Sequence, residues 1–315
     1  MDLDNVRREL MKIRGVGEAK AEKLIEVGIR SPYILALMNT FELVDKGFGE
    51  SEARQIIYNA KEFVGLHTTY TAKELRKIMV EAKRLTTGCY SLDLMLDGGL
   101  EPRAIYEFTG PAKAGKTQIC HQLCVTAFKT LWSGGQSKIA VYIDTEETFR
   151  PDRIEAIAGR FECDIESVLD AIIVKKPITF EEQILAVNDI AEICAYQNVK
   201  LVVVDSIIAK ARSQLTGREK LAERQQLLNY MLDMLLRIAK IFKAYIAVTN
   251  EVQASPTPWG GSDLPTGGHI LAHGTTHRIW LHRISKEQEG RAEVIDSPSL
   301  PPRSCRFKVV VEGVI

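Results

Sequence analysis

The chain has 315 residues, which suggests about two domains at roughly 150 residues each, and its 45% hydrophobic and 26% charged residues argue against disorder. Lysine plus arginine (41) balances aspartate plus glutamate (41), so the net charge of +0 gives no overall attraction to nucleic acid, and such binding requires local basic patches. No apolar stretch approaches the roughly 18 residues of a membrane span, and the acidic start lacks a signal-peptide pattern, so we expect a cytoplasmic protein without membrane contacts.

The first 65 residues (1–65) are predicted to form a small domain of short helices broken by glycines. Apolar residues at helical spacing would supply its core: Leu10, Ile13, Leu24, Ile25 and Val27. Residues 13–24 resemble a helix-hairpin-helix, and residues 46–54 resemble a second, weaker copy. The predicted domain is therefore all-α.

Glycines in a helical hairpin expose backbone N–H groups at a helix start, where nearby cations flank a bound phosphate. This pattern predicts non-specific binding of double-stranded DNA by Arg14, Gly15, Gly17 and Lys20. Glu18 and Glu22 dilute the positive charge, so a hairpin that serves only as a packing unit is the open alternative.

A linker and a larger core are predicted to follow. Polar, β-favouring residues at 67–71 place the linker at 66–84, and the core then covers 85–315. In the core, apolar runs at 139–143, 201–204 and 245–248 alternate with helical segments at 117–131, 181–196 and 219–242. Continuous apolar runs separated by helices indicate a mostly parallel sheet buried on both faces, so the predicted fold class is α/β.

A GxxxxGK[ST] phosphate-binding pattern lies between an apolar run at 104–108 and a helical segment. Its residues are Gly110, Pro111, Ala112, Lys113, Ala114, Gly115, Lys116 and Thr117. Such a loop surrounds phosphate oxygens with backbone N–H groups, and the following helix directs its positive end at them. We expect Lys116 to reach the β- and γ-phosphates and the Thr117 hydroxyl to ligate Mg²⁺, with a ligand-free glycine-rich turn as the alternative.

Acidic residues follow two of the apolar runs, at the strand ends where open α/β sheets bind ligands. Asp205 follows the run at 201–204 and is a candidate to hold Mg²⁺ through water. After the run at 139–143 comes Asp144, followed by Glu146, and a glutamate here can orient and deprotonate the water that attacks the γ-phosphate. Helix capping is the alternative role for acids at strand ends.

These motifs recur in one order across nearly the whole chain, and together they resemble the archaeal RadA recombinases of the RecA superfamily. Besides the phosphate loop, the matching segments are 85–93, 98–99, 142–146, 149–153, 203–206, 217–219, 222–226, 249–250 and 267–269. The resemblance implies a RecA-like P-loop ATPase core that uses ATP and Mg²⁺. It also implies a homo-oligomer, a strand-exchange filament on single-stranded DNA, with ATP held between neighbouring protomers.

The resemblance also assigns residues of the nucleotide site. Glu146 is similar to the family's catalytic glutamate, Arg153 is similar to the arginine that stacks on adenine, and Gln118 ends the matching phosphate motif. Residues 296–301 resemble the segment by which one protomer caps its neighbour's nucleotide, with Asp296, Pro298 and Pro301 as candidate contacts.

Two DNA-binding loops are implied, at about 210–224 and 252–266. The first loop carries five cations against two glutamates, and its net +3 suits contacts to backbone phosphates by Lys210, Arg212, Arg218, Lys220 and Arg224. A solvated helix face is the alternative for that loop. Glu251 through His277 contain no lysine or arginine, so DNA contacts there would use backbone N–H groups, Trp259, Gly267 or Gly268. Trp259 can stack on bases or pack internally.

One departure from the family falls at the candidate catalytic site, where Glu251 stands in place of the usual glutamine. A neutral amide can donate a hydrogen bond to the γ-phosphate, whereas an ionised carboxylate only accepts and repels the phosphate. We therefore expect Glu251 to point elsewhere, to pair with a cation, or to alter the ATP switch.

Two further departures concern assembly and the phosphate loop. Relatives dock a Phe-x-x-Ala element of the linker onto the next protomer, whereas here Tyr70 lies one place late relative to Ala72, so the register is shifted or the filament contact is weaker. Pro111 and Lys113 replace usual residues of the phosphate loop, and Pro111 removes one N–H donor.

The sequence favours a DNA-dependent ATPase and strand-exchange recombinase. The departures leave open a RadA-like paralogue that assists a standard recombinase, or a nucleotide-gated DNA-binding scaffold. A separate question is the four-residue spacing of His269, His273 and His277, for which packing and hydrogen bonding are favoured over metal binding.

Overall fold

The computed structural model describes residues 3–132, 134, 138–215, 217, 219–254, 263–284 and 289–315. The chain divides into two compact units. The first comprises Met1–Ala82 and Asp189–Tyr196, and the second comprises Lys83–Asn188 and Gln197–Ile315. Across the described residues, no helix combines the length and apolar character that a membrane crossing requires.

The amino-terminal part of the first unit is built from short helices. They are α1 (Leu3–Met11), α2 (Glu18–Glu26), α3 (Pro32–Leu37), α4 (Thr40–Val44), α5 (Glu50–Phe63) and α6 (Ala72–Glu81). Gly17 and Gly49 are the N-caps of α2 and α5, and Asn39 forms a capping box with Glu42 at the start of α4. The glycine-broken helices expected from the sequence are present, while a helix-hairpin-helix with DNA-binding function stays a prediction.

The core of the first unit differs from the expected set at two positions. Leu10, Ile13 and Leu24 are buried as expected, but Ile25 and Val27 are only partly buried. The reason is that the buried face of α2 runs through Ala21 and Leu24, and Val27 lies beyond the helix as its C-cap.

The expected linker at 66–84 contains a regular helix, α6. Thr71 accepts a hydrogen bond from the Glu74 backbone N–H, and the Glu74 carboxylate accepts one from the Thr71 N–H, which makes a capping box at the helix start. Ala72 is the first residue of this helix, and Tyr70 precedes its N-cap. The Thr-x-x-Glu signal was present in the sequence.

The second unit is α/β. Its helices are α7 (Tyr90–Met95), α8 (Lys116–Leu131), α9 (Pro151–Arg160), α10 (Ile165–Asp170), α11 (Phe180–Tyr196, whose last turns belong to the first unit), α12 (Ala209–Gln214), α13 (Leu221–Phe242) and α14 (Gly268–Gly274). Its strands are β1 (Ile105–Thr109), β2 (Ala140–Asp144), β3 (Ile172–Lys175), β4 (Leu201–Asp205), β5 (Tyr245–Asn250), β6 (Val252–Ala254), β7 (Asp263–Pro265), β8 (His277–Arg283), β9 (Glu289–Asp296), β10 (Ser304–Val310) and β11 (Gly313–Val314).

Nine of the described strands form one sheet in the order β11-β10-β9-β8-β1-β5-β4-β2-β3. The pairings from β8 to β3 are parallel, and those from β8 to β11 are antiparallel. Every residue of β1, β2, β4 and β5 is buried. This burial agrees with the continuous apolar runs of the sequence, which predicted strands covered on both faces. The α/β class with a mostly parallel central sheet is confirmed.

The register of the parallel strands brings polar residues to one edge of the sheet. Asp144 at the end of β2 lies opposite Asp205 at the end of β4, and Thr109 at the end of β1 lies opposite Asn250 at the end of β5. Carboxyl ends of parallel strands are the usual place for a ligand in an open α/β sheet. The candidate site is at this edge.

Candidate nucleotide-binding site

The phosphate loop joins β1 to α8, and the structure explains why two of its positions are occupied by glycine. A Cβ atom on Gly110 would lie 2.3 Å from the Leu281 carbonyl oxygen, so no other residue fits without backbone movement. Gly115 is the N-cap of α8 with φ of 99°, in the left-handed region that favours glycine. The loop therefore delivers Lys116 and Thr117 as the first two residues of a 16-residue helix whose N-terminus faces the site.

The ammonium of Lys116 is held by its own loop. Its Nζ donates to the carbonyl oxygens of Gly110 at 2.7 Å and Pro111 at 2.9 Å. Burial lowers the pKa of Lys116, and the nearby carboxylates, Glu251 foremost, oppose that shift. Phosphate oxygens at this place would offer the same ammonium a stronger, charged acceptor.

Asp205 is the centre of a buried hydrogen-bond network. Its Oδ2 accepts from the Thr117 hydroxyl at 2.8 Å and from the Tyr142 hydroxyl at 2.7 Å, and its Oδ1 accepts from Thr249. The Thr117 hydroxyl and the Asp205 carboxylate offer only oxygen atoms as ligands. Mg²⁺ prefers oxygen ligands, and phosphate oxygens and water molecules usually complete its coordination. The residues present therefore fit the metal that the sequence implied.

The two acids at the carboxyl end of β2 have different surroundings. Asp144 accepts hydrogen bonds from the backbone N–H groups of Thr148 at 2.9 Å and Phe149 at 3.1 Å, which order the turn before α9 but do not cap that helix, whose N-cap is Arg150. Glu146 instead lines the cavity beside the phosphate loop. Partial burial raises the pKa of Glu146, a hydrogen bond from Ser206 opposes the shift, and the charges of Asp205 and Glu251 add to it.

Arg153 lines the same cavity and is fixed by hydrogen bonds to α8 and to the end of β10. Its Nε donates to the Gln118 side-chain oxygen at 2.9 Å, and its Nη groups donate to the carbonyl oxygens of Val310 and Val311, the first at 3.0 Å. These bonds hold the guanidinium plane at the cavity wall, where a planar base could stack on it.

These elements enclose a cavity of about 610 Å³. The expected residues on its wall are Ala112, Lys113, Ala114, Gly115, Lys116, Thr117, Gln118, Glu146, Arg153, Asp205 and Glu251. Lining residues that sequence reasoning missed are Thr148, Arg283, Glu289, Gly290, Phe307 and Val309–Val311. Most of these come from β9 and β10, at positions where the sequence carries no nucleotide-binding pattern.

Glu251 follows β5 and reaches the cavity with a cation beside it. The Arg212 Nη2 atom lies 2.5 Å from the Glu251 Oε2 atom, so the pairing with a cation considered from the sequence is present. The Glu251 backbone oxygen also accepts from the Thr266 N–H at 2.8 Å. The backbone and the carboxylate of Glu251 are thus held by different partners.

The segment expected to cap a neighbouring nucleotide is ordered by one hydroxyl. Ser297 Oγ accepts from the Leu300 N–H at 2.8 Å and lies 2.9 Å from His277 Nδ1, while His277 Nε2 lies 2.8 Å from Glu101. This hydrogen bond from His277 lowers the pKa of Glu101. The segment's three candidate contacts do not belong to the described residues that line the chain's own cavity. They are Asp296, Pro298 and Pro301.

A comparison with protein families bears on this arrangement. The family model described as Rad51 matches residues 76–315. The chain belongs to the Rad51 family. Members of this family are RecA-like recombinases that act in DNA repair, bind DNA, form filaments and hydrolyse ATP with Mg²⁺. The match begins inside α6 and covers the whole cavity, so residues 1–75 lie outside it.

In this Rad51-family chain, the first expected DNA loop spans two helices. Lys210 and Arg212 lie on α12, Lys220 is the N-cap of α13, and Arg224 lies in its first turn. Lys220 Nζ pairs with Glu223 at 2.8 Å. Arg218 and Trp259 lie outside the described residues. In the second loop, Gly267 is the N-cap of α14 with φ of 89°, and Gly268 begins that helix.

The expected DNA contacts of the first unit are partly engaged by protein groups. Lys20 Nζ lies 3.1 Å from a Glu52 carboxylate oxygen and donates to the Gly15 carbonyl oxygen at 3.2 Å. Gly17 is the N-cap of α2, and Arg14 is exposed. DNA binding by this hairpin stays a prediction.

The histidines with four-residue spacing do not come together. His269 and His273 stack at 6.0 Å on α14, whereas His277 belongs to β8 and bonds to Glu101 and Ser297. In the described part of the chain, no group of three or more His, Cys, Asp and Glu side chains is placed to hold a metal ion.

Proposed function

We propose that this Rad51-family chain is an ATP-dependent DNA recombinase of the archaeal RadA type. It binds single-stranded DNA, forms a nucleoprotein filament and promotes homologous pairing and strand exchange. The observation that carries the proposal is the contact between Thr117 and Asp205 in one cavity with Lys116 and Glu146. Phosphoryl transfer in P-loop ATPases needs these four kinds of group together.

The reaction is hydrolysis of ATP to ADP and phosphate. Lys116 exchanges its loop carbonyls for β- and γ-phosphate oxygens, and the N–H groups of the loop from Gly110 to Thr117 surround the phosphates. Thr117 would ligate Mg²⁺ and Asp205 would hold it through water, and the metal when bound would neutralise phosphate charge. Glu146 orients the attacking water and accepts its proton, and its raised pKa makes it a stronger base than an ordinary carboxylate.

The adenine end of the nucleotide is assigned to a different part of the cavity. Arg153, held by Gln118 and the end of β10, offers its guanidinium face to the base. In the filament, Asp296, Pro298 and Pro301 of one protomer cap the nucleotide of its neighbour, and residues around Tyr70 and Ala72 join protomers. These assignments are supported by the family resemblance of the segments.

DNA binding is assigned to local basic groups because the chain as a whole is neutral. Single-stranded DNA is held by the first loop, through Lys210, Lys220, Arg224 and the neighbouring Arg218, and by the second loop through Trp259, Gly267 and Gly268. Double-stranded DNA is held by the hairpin that contains Arg14, Gly15, Gly17 and Lys20. Such contacts carry no sequence information and weaken with salt.

A second candidate function is favoured by Glu251, which stands where the family usually has glutamine. A RadA-like paralogue or nucleotide-gated scaffold would bind ATP and DNA and assist a standard recombinase. It would not exchange strands alone. The paralogue would also form no long filament by itself, and the scaffold would not hydrolyse ATP.

The test is ATP hydrolysis and strand exchange by the full chain with Mg²⁺, with and without single-stranded DNA. We expect single-stranded DNA to stimulate hydrolysis and the protein alone to exchange strands. Lys116→Ala should abolish hydrolysis, while Lys129→Ala, on the exposed end of α8, should leave it intact. Hydrolysis retained in Lys116→Ala would overturn the site, and hydrolysis without strand exchange would favour the assisting paralogue.

A further inference from the structure

The ion pair between Arg212 and Glu251 joins two regions that the sequence assigned to different ligands. Arg212 lies on α12, in the expected first DNA loop, and Glu251 lies on the wall of the nucleotide cavity. Their charged atoms are 2.5 Å apart. Arg212 is 46% exposed and Glu251 is 29% exposed, so solvent reaches the pair but does not surround the carboxylate.

The negative charge of Glu251 changes the pKa of the two cavity residues assigned to phosphate chemistry, Lys116 and Glu146. Among the acids near Lys116, Glu251 has the largest effect on its pKa, and Glu251 also helps to raise the pKa of Glu146. An ATP molecule at the phosphate loop would place its γ-phosphate next to Lys116. A carboxylate on the same cavity wall as Lys116 would repel that phosphate unless a cation offset its charge.

We propose that Arg212 is a positioning residue of the nucleotide site, which holds the Glu251 carboxylate and offsets its charge so that a triphosphate can bind beside it. This inference rests on the proposed ATP site and does not require the proposed strand exchange. It moves Arg212 from the expected DNA contacts to the nucleotide site. The substrate feature that Arg212 serves is the γ-phosphate, because ADP ends one phosphate short of this position.

The pair can be broken without removing the support of the surrounding backbone. Glu251 keeps its backbone bond to the Thr266 N–H, and the Arg212 N–H keeps its helical bond to the Ile208 carbonyl oxygen at 2.9 Å. A partly exposed ion pair contributes little to folding stability. Its loss should therefore appear as a change in nucleotide preference rather than as unfolding.

The experiment is calorimetric titration of a non-hydrolysable ATP analogue and of ADP, each with Mg²⁺ and without DNA. Arg212→Gln should weaken binding of the analogue by about five-fold, the size expected of such a pair, and change ADP affinity by less than about two-fold. The double variant Arg212→Gln with Glu251→Gln should bind the analogue as well as Glu251→Gln alone. Arg212→Lys, which keeps the charge, should lose less than Arg212→Gln.

Arg237→Gln is the matched control, because Arg237 forms a partly exposed ion pair of the same 2.5 Å length, with Asp233 on α13, and does not line the cavity. It should leave both affinities unchanged. Equal losses for the analogue and ADP in Arg212→Gln, or no rescue in the double variant, would overturn the proposal while leaving the ATP site standing. A wild-type chain that binds neither nucleotide would overturn the proposed function and this inference together.

Discussion

The Thr117 hydroxyl donates a 2.8 Å hydrogen bond to Asp205 Oδ2, which connects the first turn of α8 to the end of β4. Asp205 is buried and also accepts from Tyr142 and Thr249. The carboxylate is therefore held in place before any metal or nucleotide arrives. This fixed position costs no reorganisation during the reaction, which is the general advantage of a preorganised site.

Replacing Asp205 by asparagine tests this connection. The amide keeps one acceptor oxygen but loses the other, so at least one of the three hydroxyls loses its partner. We expect Mg²⁺-dependent ATP hydrolysis to fall by roughly 100-fold or more and the free energy of unfolding to fall by about 1 to 3 kcal/mol. ATPase assays and urea unfolding measure the two effects. Asp170→Asn, at a 72% exposed side chain, is the control that should keep hydrolysis.

Glu146→Gln should separate nucleotide binding from hydrolysis. The amide fills the same volume but cannot accept a proton from water, so hydrolysis should fall by roughly 10² to 10⁴ while ATP affinity is retained. Glu147→Gln, at the neighbouring exposed acid, should have little effect. Equal losses in both variants would argue against Glu146 as the base.

The pH dependence of hydrolysis follows from the same residue. A base acts only when deprotonated, and the pKa of Glu146 is raised, so the rate should fall on the acid side at a pH above the ordinary glutamate value of 4.5. Glu146→Gln should remove this acid limb. A wild-type profile flat down to pH 4.5 would contradict the assignment.

His121 predicts a pH dependence of stability rather than of catalysis. It is fully buried between Tyr142 and Phe149, its Nε2 accepts from the Arg150 N–H, and burial lowers its pKa to about 4 from an ordinary 6.5. Between these values the unfolded chain binds a proton that the folded chain does not. The free energy of unfolding should therefore fall, by up to about 3 kcal/mol, as the pH drops from 6.5 to 4.

The measurement is urea unfolding across this pH range for the wild type and His121→Phe. Phenylalanine suits the aromatic surroundings but leaves the Arg150 N–H without its acceptor, so the variant should be less stable at pH 7.5. The difference should shrink toward pH 4 because the variant has no group to protonate. A difference that stays constant with pH would contradict the account.

Ser297→Ala tests whether the segment at 296–301 serves the nucleotide of a neighbouring protomer. The change removes the acceptor of the Leu300 N–H and the partner of His277 Nδ1, so the segment should lose order. We expect the KM for ATP in the assembled protein to rise by about three- to ten-fold with little change in kcat. Ser299→Ala, at an exposed side chain, is the control. A lower stability with an unchanged KM would assign Ser297 a purely structural role.

The phosphate loop and the strand-end acids could be predicted because local spacing fixes them. The pattern from Gly110 to Thr117 needs only one turn between a strand and a helix, and Asp205 had to end a buried strand because an apolar run stops there. Val310 and Val311 could not be predicted, since they contact Arg153 through backbone oxygens that every residue carries.

Contacts between residues far apart in the chain could not be predicted from the sequence, for a different reason. The three outcomes considered for Glu251 were equally compatible with the sequence, and only the fold brings the side chain of Arg212, 39 positions earlier, beside it. In the first unit, Ile25 and Val27 were misassigned to the core because a short helix offers few turns from which to read its buried face.

Electron microscopy of the full chain with single-stranded DNA and a non-hydrolysable ATP analogue tests the central proposal most directly. Helical filaments should form with Mg²⁺ and the analogue, and Lys116→Ala should form none under the same conditions. Particles that stay small in the wild type, with the nucleotide and DNA both bound, would contradict a filament-forming recombinase.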